Sequence, residues 1–103
     1  MIDQNAILFN FLEAAKLDER LLPSHVSIFT AIYHLFLQAG KENSIKITRK
    51  KVMCLARINS ISTYHKCLND LVEFRYIIYK PSYDHYLGTL VIFRNNSGYL
   101  DVL

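Results

Sequence analysis

The sequence is poor in residues that break regular structure, with only three Gly and two Pro among 103 residues. Because apolar residues also make up 51% of the chain, this scarcity indicates one ordered globular domain rather than a disordered chain. No apolar run reaches the roughly 18 residues that a membrane span needs. The N-terminus also lacks the basic start and cleavage site of a signal peptide, so we expect a cytoplasmic protein without membrane contact.

Cysteine is also scarce, with only Cys54 and Cys67. Without an export signal, we expect two reduced, buried thiols rather than a disulfide. His65 and Cys67 are two residues apart on a predicted helix and do not share a face, and zinc-ligand spacings are missing. His25 and His34 lie on an apolar helix and are expected to be structural. Since phosphate-binding loops, nucleophile triads and ligand cavities are not recognisable either, we predict no enzyme, no cofactor and no metal.

Charge of one sign is missing from a central segment: residues 46–66 hold six Lys or Arg and no acid. Residues 1–42 carry a net charge of −2, whereas residues 43–103 carry +5. A basic segment attracts polyanions, but most charge runs are ordinary solvated surface. The choice between these interpretations depends on where the segment lies in the fold.

Two N-terminal helices follow from apolar residues at helical spacing, at 5–17 and 24–38. Ser24 is the expected N-cap of the second helix, and Gly40 is expected to end it. The first helix is acidic and apolar. It either packs within the domain or pairs two copies of the chain, and the sequence does not separate these two roles.

Two more helices joined by a short turn are predicted within 48–75. Thr48 caps the first, which extends to Arg57, and Ser60 or Ser62 caps the second. The residues expected to face inward are Val52, Met53, Leu55 and Ala56 on the first helix and Tyr64, Leu68, Leu71 and Val72 on the second.

Runs of β-branched and aromatic residues predict two strands at 76–80 and 89–94, joined by a turn-rich loop. A short third strand is indicated at 44–48, and residues 95–103 are expected to form an irregular tail. The expected fold is therefore a single α+β domain over 1–103, mainly helical, of the winged helix-turn-helix type. In that fold a two-stranded wing (76–94) follows the second helix of the helix-turn-helix.

Residues 60–77, SISTYHKCLNDLVEFRYI, resemble the pattern SxSTxxxxLxxLxxxGxI of recognition helices in the winged helix-turn-helix superfamily. More narrowly, the chain is similar to small winged-helix proteins of Bacteroides-type bacteria, described as transcriptional regulators and linked to mobile elements. That similarity lies in DERLLPSHVSIFTAIYHLF, ITRKKVMCLARINSISTYHKCLNDLVEFRYI and YKPSYDHYLGTLV. One departure is Arg75, where the superfamily usually has Gly. Because a left-handed backbone costs a non-glycine residue about 1 kcal/mol, we expect another turn geometry there.

The resemblance and the charge together predict a double-stranded DNA-binding site on the helix-turn-helix. Small polar side chains let a helix approach the major groove, where they contact bases or phosphates. The residues expected to read bases are Ser60, Ser62, Thr63, His65, Lys66 and Asn69. The residues expected to contact the DNA backbone are Thr48, Arg49, Lys50, Lys51 and Arg57. The residues expected to act from the wing are Lys80, Tyr83 and His85.

Each assignment has a plainer alternative. The hydroxyl groups at the start of the second helix also suit helix capping, and the basic residues also suit ordinary solvated surface. The tyrosines of the loop between the two strands also suit packing within that loop. For the whole domain, the alternative is a winged helix that contacts protein, such as a replication or conjugation accessory factor. The preferred prediction is a transcriptional regulator or mobile-element control protein that binds DNA as a homodimer.

Overall fold

The computed structural model describes residues 4–40, 44–80 and 88–94, which form four helices and a three-stranded antiparallel sheet. The mixed α+β class is thereby confirmed, and the short strand predicted at 44–48 is present at 44–47. The helices are α1 (Gln4–Ala15), α2 (Pro23–Ala39), α3 (Arg49–Ala56) and α4 (Ile61–Glu73). The strands are β1 (Ser44–Ile47), β2 (Ile77–Lys80) and β3 (Thr89–Phe93).

The sheet has the order β1-β3-β2, so that the last strand lies between the other two. Val91 in β3 is opposite Ile45 on one side and Tyr79 on the other. Alternation along β3 buries Val91 and Phe93 on one face, against the helices. The central position of β3 explains why its inward residues are fully apolar.

Aromatic rings join α1, α2 and the sheet into one core. The ring of Phe11 stacks on that of Phe29 with centroids 3.7 Å apart, which fixes α1 on α2. Phe93 of β3 inserts edge-on against the rings of Phe29 and Phe36, at centroid distances of 5.3 and 5.1 Å. Such edge-to-face contacts are a favoured aromatic geometry, so α2 becomes the central support of the domain.

The start of α2 differs from the prediction that Ser24 is its N-cap. The helix begins at Pro23, with Leu22 in the capping position, because proline is well suited to the first helical residue. The Leu22 N–H donates to Nδ1 of His25 at 2.8 Å, so a ring nitrogen of the first helical turn bonds back to the capping residue. The Ser24 hydroxyl instead accepts a hydrogen bond from the Cys67 thiol. Gly40 ends α2 in left-handed backbone, as predicted.

Several residues expected inside are outside. Leu55 is 45% exposed and Cys54 is exposed, because α3 buries only a narrow stripe at Val52 and Ala56. His34 is likewise exposed, on the face of α2 that points away from the core. Cys67 is buried as expected. The N-terminal helix ends at Ala15, two residues before the predicted end.

The turn after α4 also differs from its prediction, because Arg75 does adopt left-handed backbone, with φ 71°. The Tyr76 N–H donates to the Leu71 carbonyl at 2.9 Å, and the Arg75 N–H donates to that of Val72 at 3.1 Å. These two bonds are the usual closure of a helix that ends in a left-handed residue. They satisfy carbonyls that would otherwise lack partners, which offsets the strain at Arg75.

A buried carboxylate fixes this turn against the loop between α1 and α2. Asp18 accepts hydrogen bonds from Arg20 Nε and Nη2, both at 2.8 Å, and from the Tyr76 hydroxyl at 2.6 Å. The Arg20 guanidinium also lies 4.0 Å above the Phe74 ring. The bonds from Arg20, followed by that from Tyr76, hold the pKa of Asp18 well below its ordinary value, although burial opposes this. The end of α4 is thereby anchored.

Candidate nucleic-acid interface

Three consecutive basic residues occupy the first turn of α3. Thr48 caps the helix, with its hydroxyl oxygen accepting from the Lys51 N–H at 3.3 Å, as predicted. Arg49, Lys50 and Lys51 are all exposed, whereas Thr48 is half-buried. Within residues 4–40, 44–80 and 88–94, none of the three bases makes an ion pair. Since the helix dipole disfavours cations at an N-terminus, an external anion would relieve this arrangement.

A groove of about 530 Å³ runs from α3 to the start of α4. It is lined by Arg49, Lys50, Met53, Cys54, Arg57, Ile58, Asn59 and Ile61. We call it the α3–α4 groove. Its lining includes three basic residues, no acidic residue and several apolar side chains. Sequence reasoning missed this feature, since its lining comes from a helix, a turn and the first residue of the next helix.

Arg57 reaches the groove from a left-handed backbone position, with φ 61°. Its N–H donates to the Cys54 carbonyl at 3.4 Å, and the Ile58 N–H donates to that of Met53 at 3.0 Å. The Ser27 hydroxyl of α2 donates to the Ala56 carbonyl. These bonds fix the backbone of the turn, and with it the point from which the exposed Arg57 side chain extends.

The start of α4 is fixed by Ser60, one of the two predicted caps. The Ser60 hydroxyl oxygen accepts from the Thr63 N–H at 3.2 Å, and it lies 3.0 Å from the Ser62 hydroxyl. Ser60 and Ser62 are exposed, whereas Thr63 is half-buried. The capping role therefore holds for Ser60, while both serine side chains remain accessible to a partner.

The two faces of α4 differ sharply in character. The buried residues are Tyr64, Cys67, Leu68 and Leu71. The exposed residues after Ser62 are His65, Lys66, Asn69 and Glu73. Burial raises the pKa of Tyr64 to about 12, so its hydroxyl stays neutral inside the domain. Four of the six residues predicted to read bases thus share one exposed surface of α4: Ser62, His65, Lys66 and Asn69. Glu73 adds an acid at the C-terminal end of this surface.

Lys66 is not free on this surface. Its ammonium lies 2.9 Å from Asp70 Oδ2, one helical turn along α4. The same oxygen is 2.9 Å from Nε2 of the buried His25. Bonds from Lys66 and then His25 lower the pKa of Asp70, and the bond to Asp70 raises the pKa of Lys66. Sequence reasoning missed His25 here, since 45 residues separate it from Asp70.

Of the residues expected on the wing, Lys80 is exposed at the end of β2. Tyr83 and His85 lie outside the described residues. Gly88 has φ 79°, and a Cβ there would lie 2.6 Å from the Ile47 carbonyl oxygen. Only glycine fits this close approach, which fixes where the chain enters β3.

The described parts of the chain hold neither a metal-binding cluster nor a membrane-spanning helix. There, no three His, Cys, Asp or Glu side chains are grouped closely enough to hold a metal ion. None of the described helices combines the length and the apolar character required to cross a bilayer. Comparison with protein-family models, with curated proteins and with solved structures finds no match to this chain.

Proposed function

We propose that this chain is a winged-helix protein that binds double-stranded DNA, with α4 as its recognition helix. The observation that carries the proposal is the α3–α4 groove together with the outer face of α4, which we define as the exposed residues Ser62, His65, Lys66 and Asn69. The groove lining ends at Ile61, and this face begins at the next residue. Arg49, Lys50 and Arg57 on this surface make no ion pair within the described residues, and polar side chains follow on α4. Basic side chains without an acidic partner suit contact with phosphates, and the exposed polar groups beside them suit contact with the edges of DNA bases.

The proposal divides the work between two helices. Arg49, Lys50 and Arg57 meet phosphates from the groove, and Lys51 meets them from the other side of α3, which fixes the register of the protein on DNA. Ser62, His65, Lys66 and Asn69 face the major groove and supply sequence preference. Transcriptional regulation or control of a mobile element is the biological role that we propose for this binding.

A homodimer is part of the same proposal. Phe9 and Leu12 on α1 are 62% and 41% exposed, so this helix retains apolar surface that a second copy can cover. Pairing there would place two recognition helices on two half-sites of one duplex.

The first test is a fluorescence anisotropy titration of the full chain. One labelled duplex covers the region upstream of its own gene, and the other is a scrambled duplex of equal length. We expect tighter binding to the first, with two copies of the chain per duplex. If four basic side chains of each copy meet phosphates, raising NaCl from about 0.05 to about 0.2 M weakens binding by roughly 100-fold for each copy bound.

Two variants locate the surface in this titration. Lys66→Ala should abolish the preference between the duplexes, since Lys66 lies on the outer face of α4. Lys16→Ala is the matched control, because Lys16 is also exposed and ion-paired but lies just after α1, away from α4. An equal effect of both variants contradicts the assignment of the surface. Absence of binding to either duplex contradicts the function and favours a protein partner.

A further inference from the structure

Asp70 lies at the edge of the outer face of α4, between a buried histidine and an exposed lysine. Its Oδ2 atom accepts from both His25 Nε2 and Lys66 Nζ, each at 2.9 Å. The exposed fractions of the side chains rise outward, from 2% for His25 to 17% for Asp70 and 71% for Lys66. A single carboxylate oxygen therefore connects the supporting helix α2 to the surface proposed to bind DNA.

His25 is itself held on both sides. Its Nδ1 accepts from the Leu22 N–H at 2.8 Å, so the ring proton of neutral His25 lies on Nε2 and is donated to Asp70. An ordinary exposed ion pair on a helix is weak, since both side chains must be ordered to form it. Here His25 has already ordered the carboxylate, so only Lys66 remains to be placed.

We propose that Asp70, fixed by His25, is a positioning residue that makes Lys66 read a guanine edge rather than bind phosphate. This inference rests on the proposed function. A lysine ammonium has three N–H donors. With one donated to Asp70, two remain for neutral acceptors such as N7 and O6 of guanine. The carboxylate meanwhile cancels the charge by which Lys66 would attract any phosphate, whatever the sequence.

The first experiment leaves the protein unchanged. A duplex is enriched from a randomised pool by the wild-type chain, and its guanines are replaced one at a time by 7-deazaguanine, which lacks the N7 acceptor. We expect one position at which affinity falls by about tenfold, as for the loss of a good base contact. Lys66→Ala should be insensitive to replacement at that position.

The second experiment compares two variants that each remove one negative charge from α4. Asp70→Asn should lose the sensitivity to 7-deazaguanine and bind a scrambled duplex more tightly. Its salt dependence should steepen by about one phosphate contact. Glu73→Gln is the matched control, because Glu73 is exposed on the same face, three residues further along. Its sensitivity and salt dependence should remain those of the wild type, and thermal melting verifies that both variants are folded.

The outcomes separate the two proposals. If no guanine position is sensitive in the wild type, or if Asp70→Asn and Glu73→Gln behave alike, the role of Asp70 is overturned while DNA binding stands. Failure of the wild-type chain to retain any duplex from the pool overturns the proposed function, and the role of Asp70 with it.

Discussion

The turns that follow α3 and α4 have the same backbone closure but different surroundings. Each contains an arginine in left-handed backbone, Arg57 with φ 61° and Arg75 with φ 71°. In each, the next N–H donates to the carbonyl five residues before it, from Ile58 to Met53 and from Tyr76 to Leu71. Glycine is the usual residue at such positions. The chain therefore carries the same local strain twice.

What differs is the environment of each arginine. The Arg75 turn is fixed by its neighbours, since Tyr76 donates to the buried Asp18 and Phe74 lies under Arg20. The Arg57 side chain instead lies in the α3–α4 groove, with two other bases. The Arg75 turn anchors α4, whereas the Arg57 turn places a positive charge in the groove. Identical backbone geometry therefore does not imply identical function.

The largest expected effect concerns the anchored turn. Asp18→Asn exchanges a buried carboxylate that accepts from Arg20 and Tyr76 for a neutral amide, which weakens both bonds. We expect the free energy of unfolding to fall by about 2 kcal/mol at neutral pH. Thermal or urea unfolding measures this loss. Glu19→Gln, which changes an exposed acid in the same loop, should have little effect.

The stability that Asp18 provides should fall as the pH is lowered. The pKa of Asp18 is lowered on folding from its ordinary value of 3.8, so the folded state binds its proton less readily than the unfolded state. Its contribution is therefore complete above that value and is lost as pH falls toward the folded pKa. Asp18→Asn should flatten the acid limb of the stability curve, leaving the contributions of other carboxylates such as Asp70. Identical acid limbs in Asp18→Asn and Glu19→Gln would contradict the anchoring role.

A smaller effect separates the two arginines in DNA binding. Arg57→Gly removes one of the three basic side chains of the groove. Because this removes one phosphate contact, we expect the affinity for DNA to fall by about tenfold near 0.1 M salt. Arg75→Gly removes the same charge from the other turn and should leave affinity nearly unchanged. Anisotropy titrations of both variants measure the difference. Equal losses would mean that only net charge matters and that the groove is not a contact surface.

Local signals predicted the capping residues on which this site depends. Thr48 and Ser60 cap α3 and α4, and Gly40 ends α2, because a cap acts within three or four residues of itself. The helices and strands near residues 44–80 followed from apolar spacing for the same reason. The exposed face of α4 was predictable because its opposite face is the apolar one.

Contacts between distant residues had no such signal. Asp18 and Tyr76 are 58 residues apart, and His25 and Asp70 are 45 apart. Nothing in a single sequence marks these pairs, which exist only because α2 packs against both α1 and α4. The same limit explains Leu55. An apolar residue at helical spacing faces the core only if another element covers it, and no element of the described part of the chain buries Leu55.

The smallest expected effect tests the strain that the two turns share. Glycine at either position relieves the about 1–2 kcal/mol cost of left-handed backbone, but it also gives the unfolded chain more freedom, by about 0.5–1 kcal/mol. Arg57→Gly and Arg75→Gly should each therefore raise the free energy of unfolding by about 0.5–1 kcal/mol. Urea unfolding of the two variants measures the gains. If both variants gain the same stability, only Arg57→Gly should also lose affinity for DNA. The reason is that Arg57, unlike Arg75, lies among the basic residues of the groove. A loss of stability at position 57 alone would instead mean that its side chain supports the fold.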